Sequence, residues 1–241
     1  LARPLAQKII LYKPYKHGAY QDLLLGMCPL FFIPMIKNII FDFGGVLVDL
    51  DRDEAARRFL GLGVHDIEEL LDPYLQRGVF LELERGTYSA SRFEDLLNEQ
   101  YHLSLTHQQV SWAVQGFIKE VPLYKYDYLR ELRKKYYLGI LSNTNPYILE
   151  TVEAPGFLPN GGSLPQMVDH IYASCRMGLL KPSPEIYQKM LSEGQMKPEE
   201  TLFVDDGIAN VEAAQALGIH SLLVKNTEDW HDALQDMQGL M

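Results

Sequence analysis

The chain of 241 residues is 47% hydrophobic and 22% charged, the proportions of a globular protein with enough length for one or two cores and unlike disordered or collagen-like chains. Acidic residues number 32 against 22 basic ones, and the formal net charge of −10 would repel a phosphate backbone, which argues against nucleic acid as a partner. Its two cysteines, Cys28 and Cys175, are too few for a disulfide framework and stand apart from any histidine at zinc-ligand spacing, so a reducing, cytoplasmic setting is expected.

Residues 1–34 carry Arg3, Lys8, Lys13 and Lys16 against the single acid Asp22, followed by an apolar run from Leu23 to Pro34. Two prolines in that run, and no small-residue cleavage site after it, argue against a secretory signal. A membrane span would need roughly 20 uninterrupted apolar residues. The segment is therefore expected to be an extension outside the folded domain, with no membrane as partner.

Ile36–Phe41 is a short, β-rich apolar run that ends at Asp42 and is followed by Phe43-Gly44-Gly45, the pattern of a buried strand feeding a tight loop. Between about Asp51 and Val121 the strand signal disappears. An all-helical insertion is expected there, with capping boxes at Ser91-x-x-Glu94 and Thr106-x-x-Gln109. Gly61–Asp66 lacks the preceding strand and the third glycine of a dinucleotide loop and reads as a helix end.

Pro122 marks the return from the insertion, after which Tyr126, Leu129, Leu132 and Tyr136 keep a helical period. Further apolar runs follow at Tyr137–Leu141, Thr201–Val204 and Ile219–Val224. Ala154–Pro165, with six Pro and Gly residues, reads as a turn-rich connection. Strands alternating with helices predict an α/β fold with a parallel sheet, divided into a core of residues 35–50 and 122–241 and a helical insertion of residues 51–121.

Ligands of such sheets sit beyond the carboxyl ends of the strands, where this sequence places Asp42, Ser142 and Asp205-Asp206. A carboxylate at the end of a buried strand can attack phosphorus, provided a cation neutralises it and the phosphoryl group. Asp205 and Asp206 can hold that cation, and hard oxygen ligands beside a phosphate suit Mg²⁺. The Ser142 hydroxyl and the Lys181 ammonium, in Lys181-Pro182, can bind the phosphoryl oxygens. Taken singly, each residue is more simply a helix cap, a turn residue or a solvated side chain. Their common order along one predicted sheet edge is what points to a site.

With these four pieces the sequence resembles the haloacid dehalogenase (HAD) superfamily, whose motifs match Asp42, Ser142, Lys181 and Asp205-Asp206. The resemblance implies a Rossmann-like core with a helical cap inserted after the first motif. It makes Asp42 the nucleophile, Ser142 and Lys181 the phosphoryl-binding groups, and Asp42, the Gly44 carbonyl and Asp206 the Mg²⁺ ligands. Asp205 becomes a further ligand or a group that supports the others, and Gly45 and Asn143 complete the substrate-binding set.

One position departs from the pattern. Most HAD phosphatases carry a second Asp two residues after the nucleophile as general acid and base, and this chain has Gly44 there. Asp49, Asp51 and the residues of the insertion are the candidates to replace it. The same glycine, Leu141–Asn145 and Glu84-Arg85-Gly86 resemble a branch that includes α-D-glucose-1-phosphate phosphatases, which implies a small phosphorylated metabolite of the sugar-phosphate class as substrate.

The competing expectations are a metal-independent 2-haloacid dehalogenase, a catalytically silent phosphate-binding regulatory protein and, ranked lower, a phosphomutase. Two adjacent acids at Asp205-Asp206 make sense chiefly around a cation and argue against the first. His65, His102, His107, His170 and His220 form no metal-ligand pair and are expected at the surface or in packing, and Cys175 is expected to be a small apolar filler. Trp112 and Phe117 are expected in packing before substrate contact. Oligomeric state has no sequence signal.

Overall fold

The computed structural model describes residues 35–71 and 76–236, so the expectations for residues 1–34 lie outside it. In chain order, β1 (Asn38–Phe41) and β2 (Asp49–Leu50) are followed by α1 (Arg52–Gly61), α2 (Ile67–Leu70), α3 (Gly78–Glu84), α4 (Ala90–Tyr101) and α5 (His107–Gln115). Next come β3 (Ile118–Glu120), α6 (Leu123–Leu132), β4 (Tyr137–Ser142), α7 (Pro146–Glu153), β5 (His170–Ala173) and the single turn α8 (Ser174–Met177). The chain continues through α9 (Pro184–Glu193), β6 (Thr201–Asp205), α10 (Ile208–Ala216), β7 (His220–Leu223) and α11 (His231–Asp236).

The expected α/β architecture is present: a five-stranded parallel sheet in the order β5-β4-β1-β6-β7. β1 lies at its centre and is buried at every position, which is why Ile39-Ile40-Phe41 are apolar in succession, while Asn38 at its start donates to the Thr201 hydroxyl at 3.2 Å. The register sets Phe41 beside Ile140 of β4 and Val204 of β6. Asp42, Ser142 and Asp205 therefore leave the sheet at one edge, and the Asp42 amide donates to Val204 O at 2.8 Å.

Helices α1–α5 lie between β2 and β3, and these two short strands pair antiparallel. The entry to and exit from the helical stretch therefore run side by side. This differs from the all-helical expectation for 51–121: Ile118-Lys119-Glu120 is too short to show alternation by itself, and its partner strand has two residues. A line of aromatic rings runs from Phe59 to Phe80 (5.2 Å between centroids), to Phe93 (4.9 Å) and to Tyr147 of α7 (6.1 Å), joining the helices to the sheet region in one apolar cluster.

Thr106 and Gln109 form the expected capping box of α5. The Ser91 box does not form. Ser89 caps α4 instead, its hydroxyl accepting from the Arg92 amide, because Ser89 has the extended backbone a cap needs while Ser91 is already inside the helix. β5 is a strand that the sequence reading passed over. His170 is exposed and Ile171 half-buried at this sheet edge, so the apolar signal is confined to Tyr172 and Ala173. Among the described residues no helix is long and apolar enough to cross a membrane.

Candidate active site

Asp42, Asp205 and Asp206 converge at the carboxyl edge of the sheet, each offering an oxygen within 4.8 Å of the others. Asp205 is fully enclosed and its carboxylate is used up by the protein. Its Oδ1 accepts from the Gly207 amide (2.7 Å) and Asn210 Nδ2 (2.9 Å), and its Oδ2 from Lys181 Nζ (2.6 Å). On Asp42, both the Phe43 amide (2.7 Å) and Lys181 Nζ (2.9 Å) approach Oδ1, and no hydrogen bond to Oδ2 is seen among the described residues. Asp206 lies on the wall of the adjoining cavity.

Gly45 makes this convergence feasible. Its φ is +74°, and a Cβ built on it would stand 2.1 Å from Asp206 Oδ2. Its amide donates to Val48 O at 2.8 Å, and the residue does not reach the cavity wall. The glycine thereby clears the space in which the Asp206 carboxylate lies.

Lys181 is 2% exposed, yet it is held as a cation between Asp42 and Asp205. Burial opposes its charge, but the two carboxylates outweigh that and push its pKa above the ordinary lysine value. Asn143 fixes the Lys181 backbone from both sides, accepting from its amide (2.8 Å) and donating to its carbonyl (3.0 Å). Both ends of the Asn143 side-chain amide thereby engage Lys181, so this residue positions Lys181, and it also lines the cavity. The Ser142 hydroxyl also lines it, with only a long contact of 3.4 Å to Asn143 O.

Three carboxylates against one ammonium leave an excess of two negative charges in a desolvated crevice. Asp42 is pushed up to about 7, first by burial and then by the charges of Asp205 and Asp206, with Lys181 opposing. Asp206 is raised by burial and by Asp205. A hard divalent cation among these oxygens would relieve the excess, and the donor set fits one.

The cavity beside this cluster has a volume of ≈ 260 Å³. That is close to the lower end, roughly 300 Å³, of small-molecule pockets, which suits a small metabolite. Its far side comes from the helical stretch and its connections: Leu50, Arg52, Gln76, Glu84, Phe117 and Ile118. Phe117 therefore does reach the cavity, whereas Trp112 is exposed beneath the Arg58 guanidinium and takes no part. Gln76 presents a buried Oε1 without a hydrogen-bond partner in this wall.

Ser174, which sequence reasoning did not single out, ties the two sides together. Its hydroxyl donates to Glu84 O (2.6 Å) and accepts from the Thr144 amide (2.9 Å). Its signal is weak, a small polar residue at the end of an unrecognised strand. Of the residues expected in packing or at the surface, His107 bridges Glu94 (2.7 Å) and Glu150 (2.9 Å), and Cys175 is partly buried in α8 with its thiol pushed up to about 11 by burial.

Comparison with known proteins places this geometry. The family model of haloacid dehalogenase-like hydrolases matches residues 36–218, from just ahead of β1 to beyond α10. The chain belongs to the HAD-like hydrolase family. A curated relative, D-ribitol-5-phosphate phosphatase of Bacteroides thetaiotaomicron, is 43% identical over 200 residues, which is 83% of this chain and 97% of the relative. Among HAD structures, a hydrolase from Porphyromonas gingivalis superposes with a TM-score of 0.81 at 48% identity, covering 85% of this chain and 98% of its own. A variant of a HAD enzyme from B. thetaiotaomicron, in complex with magnesium and inorganic phosphate, gives 0.78 at 32% identity, covering 83% and 98%.

Proposed function

We propose that this HAD hydrolase is a magnesium-dependent phosphatase that releases inorganic phosphate from a small sugar phosphate or alditol phosphate, by way of a phosphoryl group carried on Asp42. The observation that carries this reading is the cluster of Asp42, Lys181, Asp205 and Asp206 at the floor of a small cavity. The similarity to a D-ribitol-5-phosphate phosphatase and to a magnesium- and phosphate-bound enzyme supports the metal and the class of substrate.

In this mechanism an Asp42 carboxylate oxygen attacks phosphorus, and the alcohol leaves from the opposite side. Lys181 and the Ser142 hydroxyl hold the phosphoryl oxygens, while Asp205 keeps Lys181 charged and aimed. Asp42, the Gly44 carbonyl and Asp206 would hold Mg²⁺, which supplies charge neutralisation between the carboxylates and the incoming phosphoryl group. Asp205, with both oxygens engaged by protein donors, supports this set without joining it.

The helices between β2 and β3, residues 51–121 as an insertion into a core of 35–50 and 122–241, act as a cap that selects the part of the substrate beyond the phosphate. The α-D-glucose-1-phosphate branch that the sequence resembles and the open-chain alditol phosphate of the curated relative fall within the same substrate class.

The test is phosphate release from a panel of aldose, ketose and alditol phosphates, with Mg²⁺ and with chelator, alongside halide release from a 2-haloacid. Mg²⁺-dependent phosphate release with a preference inside the panel is expected. Halide release without metal, or no turnover of any phosphate, would overturn the reading.

A further inference from the structure

We propose that Glu84, at the end of α3, is the general acid and base of the phosphatase reaction proposed above, replacing the side chain that position 44 lacks. The inference rests on that reaction and on four features of the cavity.

The usual location for an acid carries no side chain and is bordered by Leu50. A Cβ on Gly44 would stand 2.9, 3.3 and 3.4 Å from Cδ1, Cδ2 and Cγ of Leu50, so the leucine side chain packs against that position. The other nearby acids are committed elsewhere: Asp49 faces the buried Lys125 ammonium at 3.5 Å, Asp51 caps α1 by accepting from the Glu54 amide, and neither lines the cavity.

The carboxylates that do line it, among the described residues, are Asp42, Asp206 and Glu84, and no histidine, tyrosine or cysteine joins them. With Asp42 attacking phosphorus and Asp206 beside the cation, Glu84 is the group left for proton transfer.

Glu84 is also held firmly. Its carbonyl accepts from Ser174 Oγ at 2.6 Å, and Gly86, with φ +79°, packs so closely on the Cys175 carbonyl that a Cβ would meet that oxygen at 2.1 Å. Its carboxyl group has no hydrogen bond or ion pair among the described residues and is free to engage a ligand.

The ionisable groups around Glu84 are Asp42 after β1, Lys181 ahead of α9, Asp206 after β6, Arg52 of α1 and Cys175 of α8. Arg52 is itself engaged by Leu71 O and Glu68. Burial, with the Asp42 charge adding and Lys181 opposing, pushes Glu84 up to about 8, so the group is protonated at neutral pH.

In the first step Asp42 Oδ forms a bond to phosphorus, the bond from phosphorus to the leaving oxygen breaks, and the Glu84 proton passes to that oxygen. In the second, the Glu84 carboxylate takes a proton from water as the water oxygen bonds to phosphorus. The bond from phosphorus to Asp42 then breaks, and phosphate leaves with Asp42 and Glu84 restored.

The test uses Glu84→Gln with two substrates, a sugar phosphate and an aryl phosphate whose phenolate leaves without protonation. For the sugar phosphate kcat/KM is expected to fall about 10²- to 10⁴-fold. For the aryl phosphate it changes far less, and rapid mixing shows a burst of close to one phenolate per site followed by slow turnover, because the phosphoryl group waits on Asp42. Glu84→Asp recovers part of the sugar-phosphate rate.

Equal losses with both substrates, or no burst, would overturn the proposal. A check that needs no variant is the wild-type pH profile: kcat/KM for the sugar phosphate falls on the alkaline side and that for the aryl phosphate does not, and coincident profiles would overturn the proposal. If the wild type releases no phosphate, the proposed function fails and this inference with it. If release is Mg²⁺-dependent and abolished by Asp42→Asn but indifferent to Glu84→Gln, this inference alone fails.

Discussion

Asp42→Asn should abolish phosphate release and, in the absence of metal, make the protein more stable. Asp42 is 9% exposed, and its carboxyl rises from an ordinary value of 3.8 to about 7 in the folded chain. Between those values the folded state holds a proton that the unfolded chain has already released, so stability falls as pH rises through this window and the loss is complete above about 7. At roughly 1.4 kcal/mol per pH unit the penalty at pH 8 is on the order of 4 kcal/mol.

Asparagine keeps an oxygen for the Phe43 amide and cannot ionise. In chelator at pH 8 the variant is therefore expected to melt above the wild type, by about 2–4 °C for each kcal/mol in a protein of this size, with the gap shrinking as the pH is lowered to 5. Added Mg²⁺ should raise the wild-type melting temperature more than that of the variant, since only the wild type gains a neutralised carboxylate at position 42. Thermal melts at several pH values, with and without metal, measure all of this. A variant no more stable than the wild type at pH 8, or a gap independent of pH, would refute the electrostatic account.

Two further substitutions test the scaffold. Gly45→Ala forces a left-handed φ on alanine, at a cost of about 1–2 kcal/mol, and drives a methyl group into Asp206 Oδ2; Mg²⁺ titrations of activity should show affinity lowered at least about tenfold, and an unchanged titration would remove Asp206 from the ligand set. Ser174→Ala leaves the Glu84 carbonyl and the Thr144 amide without their partner; denaturant unfolding should show a loss of roughly 1–3 kcal/mol, together with a higher KM as the far wall of the cavity loosens.

The central strands were legible because a strand buried on both faces must be apolar at consecutive positions, and β1, β4 and β6 follow that rule closely. Their ends then placed Asp42, Ser142 and Asp205 at one edge. β5 was not legible, because at the border of the sheet only Tyr172 and Ala173 are covered.

The same limit applies to the site. The floor is written in strand ends and could be read from the chain, but the wall formed by Glu84 and Phe117 depends on how five helices pack, which local pattern does not encode. The role of Gly45 as clearance for Asp206 likewise needs coordinates, since a substrate contact calls for the same glycine.

The Leu50 side chain beside Gly44 has a consequence for redesign of the site. An aspartate placed at position 44 would bring its Cβ to 2.9 Å from Leu50 Cδ1, so the end of the leucine side chain, which also lines the cavity and belongs to the ribbon through which the chain enters the helices, would have to turn aside. Positions 44 and 50 are therefore coupled, and a change at either is felt at the cavity wall and at the ribbon together.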